Sequence, residues 1–457
     1  MSRPLRRFLV VAAACAIAVL SAYCGVLGRV LEQLHLPLRV SPSAILPVCL
    51  PYSALLLAVT ACVVWWKEQR AVISFILIAL CFTCCIGEVG VRVLHRKHAL
   101  LDEEYWYSPL FDHVLPPNRT LAVWDRKGHV AGATRTPLLH VNSDGLRTTY
   151  TRDSFSAHKM RIAFLGDSFT MGYGVDQKAS FVEGVEARLR SDFPDADVAV
   201  LNAGVTSYSP IIEALQYEAI VRAYRPQLVI LVLDETDFGD DAAYEAISEE
   251  VDGRRMFLNS GYWRGATSGW SDHVALMQRL PGNARAMLAR PVRSLFNVNQ
   301  RADDTPLVDL HGGKVRSRFF IYKFPRSVTS KYYERTLANI ERVDREVVKD
   351  GARFGLVIAP RYPHFNPAES PDNWEADEYK DRPFLGDYLD FFAEAKARET
   401  FDIFSLLPAL SKSKVFPLCF TDDPHWNENG HAVVADVVTQ HIRETWGALL
   451  TAKLMTP

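Results

Sequence analysis

The chain has 457 residues, with 51 Lys and Arg against 53 Asp and Glu and a formal charge of −2. That balance hides an asymmetry: residues 1–100 hold ten Lys and Arg and three Asp and Glu, a surplus of +7, whereas the remainder holds 41 against 50, a deficit of −9. An acidic remainder lacks the basic surface that displaces counterions from phosphates, which excludes nucleic acid as a partner.

Phe8 to Gly28 is uncharged and long enough to cross a hydrocarbon core of ~30 Å, which takes about 20 helical residues. Val40 to Trp66 is a second uncharged stretch, in which Pro42, Pro47 and Pro51 place the helix start late and Trp65-Trp66 suit the interfacial belt. Ala71 to Val91 is a third, with Glu88 near its end. A cleaved leader is the alternative for the first stretch, but two more apolar segments behind it argue against one. The expectation is a membrane region over residues 1–98 with three transmembrane helices. Arg3, Arg6 and Arg7 put the amino terminus inside, and Lys67 with Arg70 mark a second cytoplasmic loop. Three crossings place the rest outside, as a multi-pass protein whose soluble part is extracytoplasmic. Arg92, Arg96 and Lys97 argue against this parity.

Seven of eight cysteines lie in this region and only Cys419 follows it, so the soluble part is expected to have no internal disulfide. The paired Cys84-Cys85 and their neighbours lack histidines at ligand spacing, so no metal site is expected, and no cofactor either.

Residues 99–140 read as a connector in which WYSPLFDHVLPPN is rich in proline and aromatics. Val141 to Arg147, VNSDGLR, reads as strand, Asp-Gly turn and strand. A strand is predicted over Arg161 to Leu165, and Gly166-Asp167-Ser168 follows in a tight turn past its carboxyl end, where open α/β sheets place their ligands. Ser180 and Glu183 form a capping box for a helix running to about Arg190. Val198 to Leu201 is the second strand, ending at Asn202-Ala203-Gly204, and Ser209-Pro210 opens the next helix. Leu228 to Leu233 is the third strand, followed by Thr236-Asp237. Strand and helix in alternation mean a parallel sheet with crossovers, so Ser168, Gly204 and Thr236 converge at one edge.

Residues 238–318 break the rhythm and read as an insert, a lid over the site or a solvated excursion, with weak helical patches around Ser271 to Leu295. Order resumes in a helix through Tyr333, Leu337, Ile340, Val343 and Val347, then a strand at Phe354 to Ile358 with Arg361 and His364 just beyond it as candidate substrate contacts. Phe384 to Ala397 reads as a helix, Phe401 to Ser405 as a last strand, and Val433 to Trp446 as the final helix.

Before that helix lies Thr421 to His431, TDDPHWNENGH. Asp423 and His425 are two apart, so in an extended segment they face the same side. The carboxylate can then hold one imidazole nitrogen and leave the other to take a proton from Ser168. Asp422 is the fallback orienter.

With these marks the chain resembles the SGNH (GDSL-type) family of serine esterases and acyl-transfer enzymes over roughly Val141 to Ile442. Gly166-Asp167-Ser168 matches its first block, Asn202-Ala203-Gly204 supplies its glycine, and Asp423-Pro424-His425 with Gly430-His431 resembles its last. Its third mark departs, because Thr236-Asp237 stands where the family has Asn-Asp. Membrane-anchored relatives often carry an Asn-x-x-Gly-aliphatic-Arg stretch ahead of the serine, so the resemblance starts the catalytic fold at VNSDGLR. It implies an α/β, three-layer, flavodoxin-like hydrolase domain over 141–450, catalysis by Ser168, His425 and Asp423, and oxyanion donors at Ser168, Gly204 and Thr236. The function it implies is a membrane-anchored serine esterase that cleaves or transfers O-acyl groups on an envelope glycan or lipid. Transfer would require a membrane partner to deliver the acyl donor. The other reading is a non-catalytic SGNH-like module that binds glycan or scaffolds an envelope polysaccharide complex.

Overall fold

The computed structural model of the protein describes residues 105–257, 307–310 and 313–451. The three stretches expected to span a membrane, and the helical patches expected around Ser271 to Leu295, lie outside the described residues. Among the described residues no helix is long and apolar enough to cross a membrane.

The chain divides into two compact units. The described residues of one are 105–113 and 247–257. In it Glu249–Val251 pairs antiparallel with Arg254–Met256, and the Phe257 N–H donates to the Pro109 carbonyl at 2.7 Å. The described residues of the other, 114–246, 307–310 and 313–451, include every residue expected at the site.

In that unit five strands form one sheet: β1 (Met160–Gly166), β2 (Val198–Asn202), β3 (Leu228–Leu233), β4 (Arg353–Ile358) and β5 (Asp402–Ser405), in the order β5-β4-β3-β1-β2. All four pairings are parallel. The inner strands are continuous apolar runs, such as LVILVL in β3, because both of their faces are covered. Six helices serve the sheet: α1 (Phe181–Asp192), α2 (Pro210–Ala219), α3 (Asp237–Ile247), α4 (Arg326–Lys349), α5 (Asp387–Ala395) and α6 (Glu428–Thr451). α1 packs against α6, and α2 against α4. The chain steps from β1 outward to β2 and then back across to β3, so right-handed crossovers put α1 and α2 on opposite faces. The result is a three-layer parallel α/β fold whose strand order reverses at β1, the position at which such sheets bind ligands.

Several local expectations resolve differently. Ser180 Oγ accepts from Glu183 N at 3.4 Å, but the Glu183 carboxylate accepts from Gln177 Nε2 at 2.8 Å, so only half of the capping box forms. At Ser209 the hydroxyl donates to Asp241 Oδ1 at 2.7 Å instead of capping α2. The segment expected as an irregular insert begins with a regular helix, α3, whose first turn carries Asp237 and Asp240 where a helix amino terminus favours negative charge. Residues 114–140, expected as part of a connector, belong to the sheet-bearing unit, where Arg119–Ala122 pairs antiparallel with Leu138–Val141.

Candidate active site

β1 ends at Gly166, whose φ of +150° and lack of side chain are both required, because a Cβ there would lie 2.1 Å from Thr170 Oγ1. The chain turns at once into a one-turn helix, Ser168–Met171, with Asp167 Oδ1 accepting from Phe169 N at 2.8 Å. Arg147, from the VNSDGLR stretch, holds the far end of this turn. Its fully buried guanidinium donates to the carbonyls of Met171 and Gly172 at 2.6 Å and of Val175 at 2.9 Å. Burial lowers its pKa to about 10, so it stays charged at neutral pH.

The Asp423-His425 loop comes from the other end of the chain. A bridge between Cys419 and Trp426 closes it, and the Phe420 N–H donates to the His425 carbonyl at 3.1 Å. Asp423 Oδ1 accepts from the His425 backbone N–H at 3.0 Å and also meets His425 Nδ1. His425 Nε2 lies 2.6 Å from Ser168 Oγ. An aspartate on Nδ1 fixes the proton there and leaves Nε2 as the acceptor for the serine hydroxyl. The imidazole is wedged between two aromatic rings, with Phe169 at 4.8 Å and Tyr173 at 5.1 Å between centroids. Ser168 Oγ also lies 3.3 Å from Asp167 Oδ2, a longer contact than the one to His425.

Burial raises the Asp423 carboxyl, but the His425 ring, its hydrogen bonds and Arg126 more than reverse this and hold it well below the usual range. Asp422 does not orient the histidine; its Oδ1 accepts from Lys127 N at 3.1 Å. That bond belongs to a strap, residues 126–130, laid along the loop. The Thr421 N–H donates to Lys127 O at 2.9 Å, His129 Nδ1 meets Glu428 Oε1 at 2.6 Å, and Val130 N donates to Glu428 Oε2 at 3.2 Å. Nothing in the sequence pattern marked this strap, because its partners, Thr421, Asp422 and Glu428, lie far along the chain.

Two of the three expected oxyanion donors, Gly204 and Thr236, are otherwise engaged. The Gly204 N–H donates to Asn202 Oδ1 at 3.0 Å, and the glycine is required by close approach, since a Cβ would lie 2.3 Å from Met171 N. Thr236 is fully buried; its N–H and hydroxyl both donate to Asp234 Oδ1, at 2.6 and 2.7 Å. The candidate substrate contacts are engaged as well. Arg361 is buried among three carboxylates, Asp234 at 2.8 Å, Glu235 at 2.9 Å and Glu375 at 3.1 Å, with its guanidinium 4.7 Å from the Phe169 ring centre. His364 faces the Arg361 and Leu385 carbonyls at 3.1 and 2.9 Å, and burial lowers its pKa. Arg361 is thus committed to partners inside the protein, as a buried cation must be, while half-buried His364 rests against two carbonyls.

The parallel α/β architecture, with a Gly-Asp-Ser turn at its switch point, defines an SGNH-like fold. Residues 323–456 match a family described as ALGX, the SGNH hydrolase-like domain of the acetyltransferase AlgX. That match takes in β4, β5 and the Asp423-His425 loop and leaves Ser168 outside. No curated protein matches the chain. Similar solved structures include an acetylxylan esterase, Axe2, from Geobacillus stearothermophilus, at 12% identity, covering 62% of this chain and 94% of that one with a TM-score of 0.33. A lipase/acylhydrolase from Enterococcus faecalis has 11% identity over 62% of this chain and 96% of its own, with a TM-score of 0.34. The esterase EstA from a Pseudoalteromonas species has 13% identity, with 63% and 98% covered and a TM-score of 0.32.

Proposed function

We propose that the protein is a serine esterase of SGNH type that cleaves or transfers O-acyl groups. The observation that carries this reading is the contact of Ser168 Oγ with His425 Nε2 at 2.6 Å, with Asp423 on the other ring nitrogen. Ser168 Oγ attacks the ester carbonyl carbon while His425 Nε2 takes its proton, and the same nitrogen returns the proton to the departing alcohol. Asp423 steadies the imidazolium formed in between. The acyl-serine is then released to water or to a sugar hydroxyl that His425 deprotonates in turn. The Ser168 backbone N–H, which has no acceptor among the described residues, serves the developing oxyanion.

The sequence supports the wider setting: three helices within residues 1–98 anchor the enzyme, and the catalytic unit lies outside the membrane on an acylated glycan or lipid. Transfer to a glycan requires a membrane partner that supplies the acyl donor. A second reading, a non-catalytic glycan-binding module, draws on the engaged Gly204 N–H and Thr236 hydroxyl.

A fluorophosphonate probe on the full-length protein separates the two. Covalent labelling of wild type that is lost in Ser168→Ala and in His425→Ala is the expected result. Folded wild type that does not label, or labels equally in Ser168→Ala, would overturn the enzyme reading.

A further inference from the structure

Beneath the Ser168 turn lies a body of negative charge that the proposed chemistry does not use. Asp167, Glu213, Asp234, Glu235, Asp237, Asp240, Asp241 and Glu375 are all buried. Among them Asp167, Asp234 and Asp237 come together, each offering a carboxylate oxygen within 4.8 Å of the other two. Two arginines enter this region. Arg361 is shared by Asp234, Glu235 and Glu375, and Arg318 is taken by Asp240 at 2.5 Å. Neither pairs with Asp167, Asp237 or Glu213.

Some of these buried oxygens also have no partner. Glu213, on α2, is fully buried, and neither of its carboxylate oxygens has a hydrogen-bond partner; Asp237 Oδ1 is likewise unpartnered. Burial and the charges of Asp167, Asp241 and Asp234 oppose the ionisation of Glu213, and burial followed by Asp234, Asp167 and Glu213 opposes that of Asp237. Protonation alone leaves the arrangement costly: a neutral Glu213 would bury both a carbonyl oxygen and a hydroxyl with nothing to bond.

We propose that Asp167, Asp234 and Asp237, with Glu213 as a further buried acid, bind a divalent cation, calcium in preference to magnesium. All donors are oxygens, as a hard cation requires. Three buried carboxylates suit an ion that gives up its water readily, as calcium does, whereas magnesium keeps several waters and is usually held by one or two carboxylates. Such an ion satisfies the unpartnered oxygens directly or through a bound water and balances charge that the arginines leave over. Because Asp167 caps the helix that begins at Ser168, the ion also ties β1, β3 and α2 together directly under the serine. Cysteine and histidine spacing gave no hint of it, because the carboxylates come from the turns after β1 and β3 and from α2.

The test uses full-length wild type stripped with a chelator, and calcium chloride or magnesium chloride alone as probe. Thermal unfolding should show a saturable rise of about 5 °C or more once calcium is roughly a hundred times its Kd, with a smaller rise for magnesium. Glu213→Gln and Asp237→Asn should lose the rise, and untreated wild type should carry one calcium by atomic emission. No saturable rise together with no bound calcium in wild type would overturn the site and assign the acids shared protons instead. A full rise retained in both variants would overturn these ligands. If a variant does not fold, the wild-type titration and metal content decide the matter. The readout is an unfolding temperature, so it stands or falls apart from esterase activity.

Discussion

Arg126 Nη2 lies 3.5 Å from Asp423 Oδ2, on the side of the carboxylate away from His425, and also donates to the Tyr173 hydroxyl at 2.9 Å. One guanidinium therefore braces both the carboxylate that orients His425 and a ring that flanks it. A partly exposed ion pair of this kind is worth about 1 kcal/mol or less, or roughly fivefold in rate. Arg126→Met should slow fluorophosphonate labelling by about that factor with little change in unfolding temperature, and Arg126→Lys should recover part of it. Equal labelling in Arg126→Met and wild type would mean that Asp423 is held by His425 and its loop alone.

Thr236→Asn, which restores the residue expected of an oxyanion donor, should not raise esterase activity. The Thr236 hydroxyl donates to Asp234 and accepts from Arg318 Nη2 at 3.2 Å, and the side chain has no solvent exposure. An amide of similar volume but longer, planar shape gives up the hydroxyl's bonds and disturbs close-packed neighbours, at a cost of about 1–3 kcal/mol. Denaturant unfolding alongside ester turnover checks this, and a faster variant of unchanged stability would show that position 236 does reach the oxyanion.

Much of the scaffold could be read before the structure, because buried parallel strands announce themselves as short apolar runs: β3 coincides with the predicted Leu228 to Leu233, and β1 extends the predicted strand by one residue at each end. The pairing of Ser168 with His425 was also readable, since each sits in a compact local motif. What escaped was long-range satisfaction of charge. Arg361 looked like a substrate contact because it follows a strand end, but its carboxylates arrive from Asp234, Glu235 and Glu375. Arg147 looked like part of a turn, and only the fold shows its guanidinium gripping the carbonyls behind Ser168.

Two buried groups should bend the pH dependence of stability in opposite directions. His431 accepts from Phe181 N at 3.2 Å through Nδ1, and burial, then Arg147 and His425, lowers its pKa to about 3. Its folded pKa is depressed, so its contribution is present above about 6.5 and is lost as pH falls toward 3. Burial raises Asp241 to about 6 against its hydrogen bonds from Asn339, Ile211 and Ser209. Its contribution is present below about 4 and is lost as pH rises through 6, on the order of 3 kcal/mol in all. His431→Asn should therefore move the pH of greatest stability downward and Asp241→Asn should move it upward. Denaturation midpoints across pH 4 to 8, roughly the range in which these groups titrate, read both shifts; parallel curves for the variants and wild type would refute the assignment.

Gly204→Ala tests how tightly the serine is placed. Its Cβ would lie 2.3 Å from Met171 N and 2.7 Å from Thr170 C, both backbone atoms of the turn that begins at Ser168. The glycine itself cannot retreat, because the flanking Ala203 and Val205 N–H groups donate to Phe164 and Gly166 carbonyls at 2.9 and 3.1 Å. The Ser168 helix must move instead, and a displacement of about 1 Å at a reacting group costs on the order of 100-fold in rate. Labelling should fall by that order while the domain stays folded, with Arg147 still gripping the end of the turn. Labelling within a few fold of wild type would mean that the turn yields without moving Ser168 Oγ, and that the close approach at Gly204 serves packing rather than placement.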